Sequence, residues 1–141
     1  MKIRDATAED LDGLARLWNE FMDFHEELDP AWQRIPEAEG IWRKYITGLI
    51  EDPKVLVLVA EDDGRLVGHL TAMIQELPPV FPEKCYGFVQ EISVTAEKRG
   101  QGIAHMLYER AEAWSRQRGA NHMRANIDTG NQLSRAFWNS V

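Results

Sequence analysis

The sequence is poor in cysteine and in long apolar stretches. It has one cysteine, Cys85, and no run of apolar residues long enough for a signal peptide or a membrane span. A single cysteine excludes an internal disulfide and a multi-cysteine metal site, which is typical of proteins in a reducing compartment. We therefore expect a cytoplasmic protein with no membrane partner.

The sequence also has fewer basic than acidic residues, and its histidines lack the spacing of metal ligands. The chain has 16 Lys and Arg against 23 Asp and Glu, a net charge of −7, which argues against a nucleic-acid partner. An acidic surface attracts a cationic amine or peptide, but it is also ordinary for a protein of this kind. No metal is expected, because the spacing of the histidines is not that of metal ligands, and each is predicted to be a surface or packing residue: His25, His69, His105 and His122.

The 141 residues, 44% of them apolar and 28% charged, indicate one compact domain without repeats or linkers. Hydrophobic periodicity, caps and turn residues predict the order strand, two helices, three strands, helix, strand, helix. This order is typical of an α/β (α+β) fold with a mixed sheet and helices on both faces. The predicted strands are 2–6, 55–60, 65–75, 86–94 and 123–128; the predicted helices are 11–29, 37–50, 102–118 and a last one from about 131.

A glycine-containing loop, Arg99 to Ala104, joins a predicted strand to a predicted helix. The first amides of a helix lack internal partners and lie at the positive end of its dipole, so they bind anions such as pyrophosphate. Gly100 and Gly102 allow close backbone approach, and Arg99 adds a positive charge. The loop matches neither the Rossmann nor the P-loop pattern. A purely structural turn is the alternative.

The motif Arg99-x-x-Gly102-x-Ala104, after the strand Glu91-Ile92-Ser93-Val94, resembles the acetyl-CoA motif of the GNAT superfamily of acyl-CoA N-acyltransferases. The resemblance covers nearly the whole chain and implies a single GNAT-like domain over residues 1–141. Further segments match in order: the first strand with its capped helix, the hairpin with Val59-Ala60-Glu61 and Leu66-Val67-Gly68, and Asn131 followed by Phe137-Trp138.

Members of this family normally continue beyond the point corresponding to Val141, with Gly-Phe and at least one further strand. The resemblance therefore implies that the C-terminal end is incomplete. The alternative is that another chain supplies the sheet edge, as in a homodimer.

The resemblance implies acetyl-CoA as cosubstrate. Backbone groups of Ile92, Ser93 and Val94 would pair with the pantetheine arm, in a gap where two parallel strands splay apart. Asn131 would contact the pantetheine or, alternatively, cap the last helix. The pyrophosphate would be held by the loop residues Arg99, Gly100, Gln101, Gly102, Ile103, Ala104 and His105.

In the family's mechanism an amine attacks the thioester directly. Glu91 is our candidate for the base, because strand alternation points its side chain away from that of Ile92. Alternatively, Glu91 orients a cationic substrate or faces solvent. The carboxylates of His25-Glu26-Glu27-Leu28-Asp29 lie where the family builds its acceptor pocket and would recognise a cation there, or they form a solvated helix end.

The general acid is not identified by the resemblance. Trp138 stands where many relatives have tyrosine, and Asn126 where some peptide N-terminal acetyltransferases have glutamate. Candidate substitutes are Tyr86, Tyr108, Cys85 or water.

The main functional prediction is an N-acetyltransferase acting on a primary amine of a small molecule or peptide. The alternatives are a CoA-binding regulatory module with little turnover and an interaction protein that kept only the fold. Glu91 favours the enzyme, whereas Trp138 and Asn126 favour the binding module.

Overall fold

The computed structural model describes residues 1–125. The predicted last helix, the second half of the last predicted strand and the residues Asn126, Asn131 and Trp138 lie outside the described residues. Within the described part, no helix is both long and apolar enough to cross a bilayer. The elements are β1 (Lys2–Asp5), α1 (Leu11–Leu28), α2 (Ala38–Glu51), β2 (Val55–Asp62), β3 (Arg65–Glu76), β4 (Cys85–Val94), α3 (Ile103–Gln117) and β5 (Met123–Ala125).

Five strands form one mixed sheet in the order β1-β2-β3-β4-β5. The first four pair antiparallel, and β5 pairs parallel with β4 after the crossover through α3. The predicted mixed α/β fold is therefore confirmed. The parallel pairing aligns Gly87, Phe88 and Val89 with Met123, Arg124 and Ala125.

The start of α1 follows from its capping residues. The Asp10 carboxylate accepts a hydrogen bond of 2.8 Å from the Thr7 amide, as the Thr-x-x-Asp sequence predicts. The same carboxylate takes two hydrogen bonds of 2.8 Å from Arg4 of β1. A short 3-10 turn, Ala8–Asp10, precedes the helix, so α1 begins at Leu11 and is tied to the first strand.

Two apolar cores lie on opposite faces of the sheet. The helices α1 and α2 cover one face, where the rings of Trp18 and Trp42 stack 5.1 Å apart. The helix α3 covers the other face. The first core contains Leu14, Leu17, Trp18, Trp42, Ile46, Val57, Val59 and Leu66; the second contains Leu56, Leu58, Val67, Leu70, Val89, Ile103, Leu107 and Ala111.

The helix α3 approaches β4 closely at Gly87. A methyl group at this position would overlap Ser115 Oγ and Met123 Sδ. Glycine therefore lets α3 lie directly against the strand, which fixes where the N-terminus of α3 meets the other end of β4.

Candidate active site

Two glycines of the loop between β4 and α3 have a left-handed backbone conformation. Gly100 and Gly102 have φ angles of +79° and +82°, in the left-handed region, and Gly102 is the N-cap residue of α3. Glycine at the cap has no side chain to hydrogen-bond the first amides of the helix, and no side-chain cap is present in the described part of the chain. The predicted anion-binding loop thus has an open helix N-terminus.

The residues of this loop differ in what they expose. Ile103 is buried in the core under α3, so only its backbone faces the loop. Gln101 and His105 are exposed, and Ala104 is partly exposed. The assignment of these residues to pyrophosphate binding stays a prediction.

The helix α1 forms hydrogen bonds with the first residues after β4, where the loop begins. The Glu20 carboxylate accepts hydrogen bonds of 2.8 Å from both Thr95 Oγ1 and the Ala96 amide. The Arg99 guanidinium lies 5.5 Å from the centre of the Phe24 ring, and its Nε donates to the Val94 carbonyl at 3.2 Å. No local sequence pattern indicates this role of Glu20, because its partners are more than 70 residues away along the chain.

A bulge in β4 places two polar side chains on the same face. The pairing of β3 with β4 shifts after Thr71, so that Thr71 lies opposite Glu91 and Ala72 opposite Val89. Gln90 is the extra residue, and its side chain donates to Tyr45 Oη of α2 at 2.6 Å. Gln90 therefore faces the α1/α2 side of the sheet.

The end of β4 alternates as predicted. Ile92 and Val94 pack against the core under α3. Glu91 lies across from Thr71, and Ser93 across from His69, on the opposite face. Glu91 thus points away from Ile92, as expected. The predicted splaying of two parallel strands beside Ile92, Ser93 and Val94 concerns residues beyond Ala125, outside the described chain.

A buried polar cluster surrounds Glu91. It consists of His69 and Thr71 on β3 with Glu91 and Ser93 on β4. His69 is fully buried, and a hydrogen bond of 2.8 Å joins its Nδ1 to Ser93 Oγ. Its Nε2 lies 3.7 Å from Glu91 Oε2.

The prediction that His69 is only a surface or packing residue missed this cluster. The available signal was the matching alternation His-Leu-Thr in β3 and Glu-Ile-Ser in β4, which becomes informative only when the strand register is known. Residues 1–125 contain no group of three or more His, Cys, Asp or Glu side chains placed to hold a metal ion.

The acidic end of α1 binds a cation that belongs to the chain. Glu26 receives hydrogen bonds from the Arg34 backbone amide at 2.9 Å and from Arg34 Nε at 2.8 Å. These bonds lower the pKa of Glu26. Arg34 also binds Asn19 and Asp23, so it fixes the connection between α1 and α2.

Both predictions for this segment are therefore partly wrong. The Glu26 carboxylate is not free to recognise a substrate cation, and it is not simply solvated, because it forms an ion pair with Arg34. His25 is buried, with its Nδ1 2.9 Å from the Phe21 carbonyl.

The candidate acids lie apart from Glu91. Cys85 and Tyr86 are at the start of β4, five or six residues away, which is roughly 16 to 20 Å along a strand. Tyr86 stacks on His122, with ring centres 5.6 Å apart. Tyr108 packs against the core under α3, where burial raises its pKa. None of the three is therefore placed to act together with Glu91, and water is the alternative that this geometry leaves.

Comparison with known proteins supports the likeness found in the sequence. Residues 14–140 match the model of the acetyltransferase (GNAT) family. An uncharacterised N-acetyltransferase of Archaeoglobus fulgidus is 29% identical over 140 residues, covering 99% of this chain and 90% of that protein.

Two solved structures share the fold. A mutant of the BH1408 protein of Bacillus halodurans has a TM-score of 0.89 at 20% identity, covering 99% of this chain and 90% of that chain. The aminoglycoside N-acetyltransferase AAC(6')-Iy in complex with CoA has a TM-score of 0.73 at 17% identity, covering 99% and 88%.

Proposed function

Because the chain belongs to the GNAT acetyltransferase family, we propose that it transfers the acetyl group of acetyl-CoA directly to a primary amine. The observation that carries this proposal is the position of Glu91, on the strand that leads into the Gly100–Gly102 loop. A single strand thus connects a candidate base with a candidate cofactor loop. We place this activity in one domain over residues 1–141.

The cofactor would bind along the end of β4 and the start of α3. Amides at the N-terminus of α3 suit the pyrophosphate, and the left-handed glycines leave room for it. Arg99 would exchange its contact with the Val94 carbonyl for the phosphate charge. Backbone groups of Ile92, Ser93 and Val94 would pair with the pantetheine arm, and Asn131 is assigned to the same arm.

The chemistry requires an uncharged amine. An alkylamine has a pKa of about 10.4 and is mostly protonated at neutral pH, so a base must remove one proton before attack. Glu91 would do this directly or through a water. The attack then forms an oxyanion, which a backbone amide near Val94 would stabilise, and the thiolate of CoA leaves. As the intermediate collapses, the nitrogen loses a second proton, and water would carry this proton to the thiolate.

We propose an amine-bearing small molecule as the acceptor, ahead of a peptide. AAC(6')-Iy, whose fold this chain shares, is an aminoglycoside N-acetyltransferase. The net charge of −7 suits a cationic acceptor of this kind. The helices α1 and α2, whose connection Arg34 holds, cover the face on which Glu91 lies.

A CoA-binding regulatory module is the second candidate function. It is favoured by Trp138 and Asn126, which stand where relatives have residues able to exchange protons. Both functions require the Arg99–His105 loop, so cofactor binding alone does not separate them.

The test is release of CoA thiol from acetyl-CoA, measured with polyamines, aminoglycosides, amino acids and short peptides, with acetyl-CoA binding measured in parallel. We expect turnover with one class of small amine. Binding without turnover for every acceptor would identify the module instead, and turnover with peptides alone would overturn the small-molecule assignment.

Glu91→Gln should lower kcat on the order of 100-fold, most strongly at low pH where the amine is charged, and leave acetyl-CoA affinity intact. The matched control is Glu76→Gln, at the exposed far end of β3, which should behave as the wild type. An unchanged pH dependence in Glu91→Gln would remove Glu91 from the role of base.

A further inference from the structure

The polar cluster beside Glu91 is unusual in being covered. His69 and Thr71 have 0% and 1% of their surface exposed, although they alternate with apolar residues as in a strand with one solvated face. Their neighbours on β2 in the same cross-strand rows are Val59 and Val57, which belong to the core under α1 and α2. In these two rows, the buried side chains are therefore apolar on β2 and polar on the adjacent strand β3.

The His69 ring is held in one orientation. Its Nδ1 is anchored by the 2.8 Å hydrogen bond to Ser93 Oγ, which lies directly across the strand pair. With one ring nitrogen fixed, the other is directed at Glu91, 3.7 Å from Oε2. This separation is too long for a direct hydrogen bond and suits a small side-chain movement or a bridging water.

Several polar atoms of the cluster lack a protein partner. Within residues 1–125, this is true of His69 Nε2, Thr71 Oγ1 and Glu91 Oε1, which are all buried. Burying such atoms unpaired costs on the order of 1 to 3 kcal/mol each, so stability alone does not explain the cluster. Valine side chains, as on the adjacent strand, would fill the same layer without that cost.

We propose that His69 is a positioning residue, which orients Glu91 and exchanges a proton with it; this rests on the proposed acetyl transfer. In the tautomer whose Nδ1 donates to Ser93, Nε2 carries a lone pair. The ammonium nitrogen of the acceptor gives its proton to Glu91 and keeps the electron pair for attack. Glu91 passes the proton to His69 Nε2, which restores the carboxylate and forms an imidazolium. The imidazolium loses the proton through Glu91 to water after acyl transfer.

Two substitutions at His69 separate positioning from packing. His69→Asn keeps a polar atom near Nδ1 but has none near Nε2, whereas His69→Gln reaches the Nε2 position and hydrogen-bonds Glu91 without accepting its proton. We expect His69→Asn to lower kcat about tenfold or more, with acetyl-CoA affinity unchanged. His69→Gln should lower kcat by a smaller factor. Ser115→Ala, which removes a buried hydroxyl under α3, is the control and should keep the wild-type kcat.

Comparing kcat of the double variant with kcat of each single variant separates a shared catalytic role from a packing role of His69. In the Glu91→Gln background, His69→Asn should lower kcat less than about twofold further, because the two residues act as a unit. Full additivity of the two losses, or equal losses for His69→Asn and His69→Gln, would overturn the proposal.

Nuclear magnetic resonance of the ring nitrogens tests the same pair without turnover. In Glu91→Gln, the ¹⁵Nε2 resonance of His69 should move while ¹⁵Nδ1, held by Ser93, stays near its wild-type position. If neither resonance moves, the pair is uncoupled and the inference is wrong. If they behave as expected but no amine is acetylated, the contact between His69 and Glu91 stands and the proposed acetyl transfer fails, and the proton exchange fails with it.

Discussion

The two faces of the central sheet carry different chemistry on the same two strands. Towards α3, the strands β3 and β4 present Leu70, Ala72, Ile92 and Val94, which pack into an apolar core. Towards α1, they present the cluster of His69, Thr71, Glu91 and Ser93. Within residues 1–125, three buried unpaired side-chain atoms belong to this cluster, and the remaining one, Ser115 Oγ, belongs to α3.

This difference shows how one strand performs two tasks. Successive side chains of β4 point to opposite faces, so Ile92 and Val94 fix the strand against α3 while Glu91 and Ser93 remain available for chemistry. The α3 face packs the apolar core and leads into the Gly100–Gly102 loop, to which we assign cofactor binding. The α1 face holds buried unpaired polar atoms around Glu91, our proposed base, at a cost in stability. Three substitutions, in order of decreasing effect, test this division.

The largest effect on stability is expected on the apolar face. Leu107 of α3 is fully buried, and Leu107→Ala should lower the free energy of unfolding by about 3 kcal/mol through lost burial and a cavity. Urea unfolding measures this change. The neighbouring Met106 is 41% exposed, so Met106→Ala should cost less than about 1 kcal/mol. A small loss in Leu107→Ala would show that this face is not the main source of stability.

A smaller effect on the free energy of unfolding is expected at Asp10, a buried carboxylate with hydrogen-bond partners. Asp10 is bound by Arg4 and by the Thr7 amide, so Asp10→Asn should lower the free energy of unfolding by about 2 kcal/mol at pH 7. The hydrogen bond from Arg4 lowers the pKa of Asp10 in the folded state. Its contribution is therefore complete above the unfolded pKa, about 4, and is lost as the pH falls through the lower folded value.

Urea unfolding at pH 7 and at pH 3 tests this pH dependence: the difference between the wild type and Asp10→Asn should shrink at the lower pH. The control is Asp12→Asn, because Asp12 pairs with Arg43 but its side chain is 94% exposed, and the expected change is under about 1 kcal/mol. Equal losses in the two variants would contradict the role assigned to burial.

The smallest effect is expected inside the polar cluster. Thr71 Oγ1 is buried and has no partner among residues 1–125, so Thr71→Val should leave the free energy of unfolding unchanged or raise it by up to about 1 kcal/mol. Thermal and urea unfolding measure this. A clear loss of stability would mean that the hydroxyl is paired and that the cluster is structural, which would remove the contrast between the two faces.

Most of the described fold was predictable from the sequence because its elements have strong local signals. The helix predicted at 37–50 is Ala38–Glu51, and the strand predicted at 86–94 is Cys85–Val94. The strand predicted at 55–60 extends to Asp62, because the hairpin ladder continues through polar residues that pair with β3. Apolar periodicity does not report such a continuation.

The candidate site was predictable only in part. The loop with Gly100 and Gly102, and the direction of Glu91, follow from local sequence. His69 does not, because alternating polar residues in β3 indicate a solvated face, and only the packing of α1 shows that the face is buried. The bulge at Gln90 and the bonds of Glu20 likewise depend on contacts between distant segments.

Calorimetric titration with acetyl-CoA tests whether the cofactor binds at the N-terminus of α3, using the wild type, Gly102→Glu and Gly119→Glu. Both glycines have left-handed φ angles and open space around the Cβ position, at opposite ends of α3. We expect the wild type and Gly119→Glu to bind alike, and Gly102→Glu to lose affinity on the order of 100-fold or more through repulsion of the phosphates. Unaltered binding by Gly102→Glu, or no binding by the wild type, would contradict this expectation.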